Sequence, residues 1–167
     1  MLALGILILG IITRLVVHVP NFTPAIALAL FGGFYLKKRQ AIILPVAFMA
    51  VSDIFLGYHS TMLFTWGSVG LIAALGFWGR QHKSWTTMAG TSLFSAVLFF
   101  VVTNFGTWLA GDHLYPLTLD GLKECYVMAI PFFRSTLLST LIYSIVFFGA
   151  YEGIAVRLKQ TRFAHVL

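Results

Sequence analysis

The sequence contains very few charged residues for its length. Charged side chains make up 10% of the 167 residues and hydrophobic ones 59%, whereas soluble domains of this size carry about a quarter charged residues. A chain with so few charges lacks the polar side chains that cover a surface in water. The composition therefore excludes an ordinary soluble domain and favours a lipid bilayer as the solvent.

Cysteine is almost absent, and so are the sequence patterns of common catalytic sites. The one cysteine, Cys125, excludes a disulfide within the chain and a cysteine-based metal motif. GxSxG, HExxH and clustered carboxylates are also absent. His18, His59 and His113 are weak metal candidates, because none sits at HxxxH spacing. We expect no cofactor and no enzyme, although a small intramembrane enzyme with a proton-relay role for Asp53 stays open.

Linkers, low-complexity tracts and fixed-period repeats are missing too, which predicts a single transmembrane domain over residues 1–167. The first run lacks a basic n-region, so we expect a retained helix and not a removed signal peptide. The pattern predicts an all-α integral membrane protein with about six transmembrane helices. The apolar runs cover Leu2 to Val19, Ala25 to Leu36, Ala41 to Tyr58, Met62 to Trp78, Thr86 to Leu109 and Cys125 to Val156.

Two runs have unusual lengths. The second spans only about 18 Å at ~1.5 Å per residue, so it crosses with the help of its flanks or a thinned bilayer, or it enters as a partly buried helix. The sixth is long and contains Pro131, which predicts a short interfacial piece before the proline and a spanning helix after it. The segment GDHLYPLTLDGLKE before it reads as the longest loop.

The basic residues lie in short clusters between the apolar runs. This placement indicates membrane topology and not nucleic-acid binding, despite the net charge of +6. With Lys37, Lys38 and Arg39 in the cytoplasm, alternating crossings put eight basic residues inside and only Lys123 in an outer loop. The positive-inside rule therefore predicts six crossings of a plasma (inner) membrane with both termini cytoplasmic.

Polar residues within the runs converge on the predicted outer half. A charge in hydrocarbon costs at least ~2.5 kcal/mol, so such groups are expected to face the bundle interior and pair. Asp53 is the only carboxylate there for Arg14 and Arg134. We predict an outward-facing pocket lined by the first, third, fifth and sixth helices. Its candidate substrate-binding residues are Arg14, Asn21, Phe22, Thr23, Asp53, Tyr58, His59, Asn104, Trp108 and Arg134.

Each of these residues also has a plainer interpretation. Arg14 and Arg134 can snorkel to outer lipid phosphates, and Asp53 can be a structural ion-pair partner. Asn104 can bond a neighbouring helix. Ala25, Ala29 and Gly33 form a small-residue stripe on the second helix, which serves either internal packing or a partner face.

The stretch PNFTPAIALALFGGFYLKKRQAIILPVAFMAVSDIFLGYH, with TNFGTWLAG later, resembles an uncharacterised family of small bacterial membrane proteins. It is also similar in layout to the substrate-binding S subunits of energy-coupling-factor (ECF) vitamin transporters. The shared features are a Pro-containing turn, a small-residue helix ending in Gly, a basic turn, and a helix ending near an acidic residue and Gly. Helix 1 departs from those subunits, because it lacks their Ala-x-x-x-Ala docking face; Ala25 and Ala29 are the nearest equivalent.

These observations and the resemblance lead to one expectation of function and two alternatives. We expect a substrate-binding subunit of an uptake transporter for a vitamin-like or vitamin-precursor-like small molecule. The resemblance implies a transmembrane coupling protein and an ATPase as partners, since the chain has no nucleotide-binding loop. The alternatives are a non-catalytic structural subunit of a larger membrane complex and the intramembrane enzyme.

Overall fold

The computed structural model describes residues 1–16, 19–37, 39–110, 114–159 and 161. Over this part of the chain it is all-helical, and the helices closely follow the predicted runs. They are α1 (Leu2–Val16), α2 (Ala25–Tyr35), α3 (Gln40–Leu56), α4 (Met62–Gly79), α5 (Trp85–Ala110) and α6 (Leu119–Leu158), with a 3-10 turn at Arg80–His82 between α4 and α5. Six helices were predicted, and six are found in the described residues.

The short helix α2 is the centre of the bundle. It contacts each of the other five helices, and ten of its eleven residues are buried. Its sequence, AIALALFGGFY, is apolar on every face, which is the pattern of a helix surrounded by protein. At ~1.5 Å per residue it is about 17 Å long. A helix enclosed in this way does not itself have to match the thickness of a bilayer.

Glycines let α2 and α4 approach until their backbones touch. A Cβ on Gly76 would stand 2.5 Å from the Leu30 carbonyl oxygen and 3.1 Å from the Gly33 Cα. The predicted stripe Ala25, Ala29 and Gly33 is buried inside the bundle. Small residues at such a crossing bring two helices within van der Waals contact along their length.

The two ends of the bundle differ in composition. The α2–α3 turn, the 3-10 turn and the end of α6 meet at one end, which we call the basic end. There Arg80 Nη1 donates to the Leu36 carbonyl at 3.2 Å, and Lys83 forms an ion pair with Glu152. We call the opposite end, with the α1–α2, α3–α4 and α5–α6 connections, the cavity end. The basic clusters that the sequence analysis assigned to one side thus lie together, within the described residues.

Helix α6 is longer than predicted and is not divided at Pro131. It runs without interruption for 40 residues, about 60 Å at ~1.5 Å per residue. The predicted division at Pro131 and the predicted loop over 119–124 are therefore wrong. Thr118 explains the early start, because its Oγ1 accepts from the Gly121 N–H at 3.1 Å and caps the helix. Proline inside the helix removes one N–H donor without ending it.

Among the described residues, three helical segments are long and apolar enough to cross a membrane. They are Met62–His82, Trp85–Ala110 and Leu119–Leu158, whereas α1, α2 and α3 are shorter apolar helices. The outward faces carry large apolar side chains that are widely exposed, such as Phe55 at 74% and Leu63 at 77%. Soluble monomers rarely expose apolar surface on this scale.

Candidate functional site

A cavity of about 260 Å³ opens among α4, α5, α6 and the α1–α2 turn at the cavity end. Polar and aromatic side chains make up most of its wall. The lining residues are Asn21, Thr65, Phe99, Phe100, Thr103, Asn104, Thr107, Ala129, Phe132, Phe133 and Thr136. Within the described residues, this lining contains no charged side chain.

Helical periodicity brings these side chains to one place. On α5, Phe99, Thr103 and Thr107 follow one another at intervals of four, and Phe100 and Asn104 form a parallel row. Residues three and four apart share a helix face. On α6, Ala129, Phe132, Phe133 and Thr136 have the same spacing. The cavity is therefore the space between two facing stripes on α5 and α6.

The threonine hydroxyls of the lining donate to their own helices. Thr103 Oγ1 donates to the Phe99 carbonyl at 2.7 Å, and Thr107 Oγ1 donates to the Thr103 carbonyl at 3.1 Å. Thr136 donates to Phe132 at 3.2 Å in the same way, as Thr65 does to Thr61 at 3.2 Å. Each hydroxyl proton is thereby used, while lone pairs of the oxygen stay free to accept.

The two asparagines of the lining come from different elements, Asn21 from the α1–α2 turn and Asn104 from α5. Asn104 Nδ2 donates to the Phe100 carbonyl at 2.8 Å, which fixes the amide orientation and leaves Oδ1 as an acceptor. Asn21 lies in the α1–α2 turn with φ of 56°, a left-handed conformation that asparagine tolerates better than most residues. Both residues were predicted to bind substrate, and both line the cavity.

The predicted charged pocket forms a separate, closed contact. Arg14 Nη2 lies 2.7 Å from Asp53 Oδ1, and Trp66 Nε1 donates to Asp53 Oδ2 at 2.7 Å. The Asp53 side chain is 2% exposed and that of Arg14 is 11% exposed. The pair joins α1, α3 and α4. Neither residue lines the 260 Å³ cavity; Arg14 instead borders a small apolar pocket of about 20 Å³ among α1, α2, α3 and α4.

The other predicted residues lie around the cavity end but outside its lining. Arg134, Tyr58 and His59 are exposed, and His59 Nδ1 is 2.9 Å from Thr61 Oγ1. Trp108 Nε1 donates to the Pro116 carbonyl at 3.0 Å.

Three further positions complete the predicted set. The Phe22 ring lies 5.8 Å from the Tyr143 ring. Thr23 Oγ1 accepts from the Ala25 N–H at 3.3 Å, at the start of α2. The metal candidates His18 and His113 lie outside the described residues. Within the described residues, no group of three His, Cys, Asp or Glu side chains has metal-binding geometry.

Sequence reasoning missed α4 as a wall of the site and missed the neutral character of the lining. Asn104 was predicted to bind substrate, whereas Thr103 and its repeat four residues later at Thr107 were not. That four-residue polar repeat within an apolar helix is the signal that predicts an inward face. Trp66 was missed as well, because the sequence of an apolar run does not indicate which acceptor an indole N–H will bond.

A second polar contact lies at the basic end. Tyr35 Oη donates to Glu152 Oε1 at 2.6 Å, and Lys83 pairs with the same carboxylate. The ammonium of Lys83 lies 4.3 Å from the centre of the Tyr35 ring. These contacts tie α2, the α4–α5 turn and α6 together at the basic end.

Comparison with known sequences places the chain in a family without an assigned activity. Residues 1–162 match a family of unknown function, DUF6580, and the chain belongs to that family. The expectation of an uncharacterised family is thereby confirmed. No curated protein and no solved structure matches the chain.

Proposed function

Since the family carries no assigned activity, we propose a function from the site: this chain is a membrane subunit that captures a small molecule in the cavity. Three helices that are long and apolar enough to span support placement in a bilayer. The basic end then faces the cytoplasm by the positive-inside rule, and the cavity faces outward. Both termini are cytoplasmic in this arrangement, and the membrane is the plasma (inner) membrane.

The cavity itself is the observation that carries the proposal. Its volume of about 260 Å³ is close to the lower limit of small-molecule sites, which run from about 300 to 1,000 Å³. Polar groups in a membrane domain are costly unless they have partners. Four threonines and two asparagines converge on this one space. A hydrogen-bonding ligand would satisfy the acceptors that the helices leave free.

Uptake is the function that best fits a cavity at the end of the bundle opposite the basic residues. The layout resemblance to the S subunits of ECF vitamin transporters supports a vitamin-like or vitamin-precursor-like ligand. It also supports coupling to a transmembrane protein and an ATPase. The Ala25/Ala29 face is buried within this chain, so docking to a coupling partner would use another surface.

Native mass spectrometry of protein gently extracted from cells tests the proposal. The wild-type chain is expected to carry a small-molecule adduct. Ala129→Phe places a ring in the cavity and is expected to abolish the adduct. Ala150→Phe is the matched control, because Ala150 is an exposed residue of the same helix, and it is expected to keep the adduct.

Two results would contradict capture in this cavity. An adduct that survives unchanged in Ala129→Phe would place the ligand elsewhere. A wild-type chain that carries only protein partners would favour the structural-subunit alternative. Turnover of an added compound that depends on Asp53 would instead favour the intramembrane enzyme.

A further inference from the structure

The charge and hydrogen-bonding character of the cavity wall define the class of ligand, and this inference rests on the proposed function. Within the described residues the wall carries no ionised group. Asp53 and Arg14, the ion pair of the predicted site, lie outside this wall and pair with each other at 2.7 Å. A charged ligand would enter without a counter-ion, and an unpaired charge in a low-dielectric site is strongly disfavoured.

The two signs of charge are disfavoured for different reasons. An anion would meet oxygen acceptors, since the hydroxyl protons of Thr103, Thr107 and Thr136 already bond helix carbonyls. A cation would find acceptors but no carboxylate. A neutral ligand avoids both penalties.

After charge, the second property of the ligand is its hydrogen bonding, which the polar groups of the wall determine. Most hydrogen-bonding groups of the wall are acceptors, namely the threonine oxygens and Asn104 Oδ1, whose amide nitrogen donates to the Phe100 carbonyl at 2.8 Å. The second N–H of Asn104 and the Asn21 amide are the donors that the wall keeps. A buried acceptor without a donor costs about 1–3 kcal/mol. The complementary ligand therefore supplies N–H or O–H groups to this face.

The third property of the ligand is a ring, which the aromatic side chains of the wall favour. Phe99, Phe100, Phe132 and Phe133 form the apolar part of the wall, and the Phe100 and Phe133 rings pack across α5 and α6 with centres 4.8 Å apart. Aromatic surfaces favour other rings in offset or edge-on contact. From these observations we infer that the ligand is a compact, uncharged ring compound that donates hydrogen bonds.

Binding of small model compounds to purified protein in nanodiscs tests each property. Benzamide, benzoate and benzamidinium share one shape and differ in charge. N-methylbenzamide and methyl benzoate share one size and differ in a single N–H donor. Dissociation constants are measured by saturation-transfer NMR titration for the wild type, Asn104→Leu and the control Thr91→Val, which lies on α5 away from the lining.

Benzamide is expected to bind about tenfold more tightly than either ion, and N-methylbenzamide about tenfold more tightly than methyl benzoate, the equivalent of one hydrogen bond. Asn104→Leu is expected to abolish the preference for the amide, and Thr91→Val to keep it. Tighter binding of benzoate or benzamidinium, or equal binding of the amide and the ester, overturns the inference. These outcomes do not contradict the capture function, because the Ala129→Phe adduct experiment tests that function separately.

Discussion

Asp53 of α3 links three helices, because side chains of α1 and α4 both bond its carboxylate. Its two carboxylate oxygens accept from different partners, Oδ1 from Arg14 and Oδ2 from Trp66, each at 2.7 Å. Both bonds are short and the side chain is 2% exposed. A buried ion pair with additional hydrogen bonds contributes little when intact, but it is costly to break from one side.

Replacing Asp53 with Asn should therefore destabilise the protein strongly. The Asp53→Asn variant keeps the size of the side chain but leaves the Arg14 guanidinium buried without a counter-ion. The expected loss is about 3–5 kcal/mol of unfolding free energy, the usual cost of removing one partner of a buried pair. Thermal unfolding in detergent, followed by circular dichroism, measures it.

A double variant separates the loss of charge balance from the loss of hydrogen bonds. Arg14→Gln with Asp53→Asn removes both charges and keeps polar groups at both positions, so it should recover much of the stability lost by Asp53→Asn. Equal stability of the wild type and Asp53→Asn would contradict the structural role given to this pair.

At the residue scale, charge was easier to predict than neutral polarity. The scarcity of carboxylates made Asp53 the only acceptor for the arginines, and Arg14 is its partner in the structure. Thr65, Thr107 and Thr136 were not predicted, because a threonine in an apolar helix can bond its own backbone on any face. Only the arrangement of the helices reveals which hydroxyls share a cavity.

At the scale of the helices, the bundle packs around α2, which comes closest to its neighbours where it crosses α4. Gly76 touches the α2 backbone, whereas a Cβ on Gly67 of the same helix would meet no atom within 4 Å. The two glycines therefore offer a matched comparison. Both lie in the interior of α4, so alanine improves helix propensity equally at each.

Gly76→Ala should lower stability, and Gly67→Ala should not. The new methyl group at position 76 would stand 2.5 Å from the Leu30 carbonyl oxygen, so α2 and α4 must separate. Forced separation of packed elements typically costs about 1–3 kcal/mol. The melting temperatures of the two variants in the same detergent give the comparison. A Gly76→Ala protein as stable as Gly67→Ala would contradict the close crossing.

Most helix positions followed from the sequence, but the course of α6 did not. Apolar runs and turn residues gave α1 to α5 to within a few residues, since length and hydropathy are local properties. Pro131 misled the prediction. A proline marks a possible helix end, but surrounding helices can hold such a segment helical. The polar residues at 119–124 resembled a loop, and the Thr118 cap makes them the first turns of α6.

At the scale of the whole molecule, the two ends of the bundle have opposite properties. At the basic end, Lys83, Glu152 and Tyr35 contact one another. The cavity end holds a neutral space bounded by α4, α5 and α6. A protein that captures a ligand from one side of the membrane needs this asymmetry. Because the two ends differ, labelling from each side of the membrane can test the proposed orientation.

Cysteine labelling in intact cells tests one-sided capture most directly. In a Cys125→Ser background, Thr107→Cys places a thiol in the cavity and Gln81→Cys places one at the basic end, where Gln81 is exposed. A membrane-impermeant maleimide is expected to label position 107 from outside, more slowly when protein-free cell extract is added, and to label position 81 only after the cells are permeabilised. Labelling of position 81 from outside, with position 107 reached only from the cytoplasm, would contradict the account.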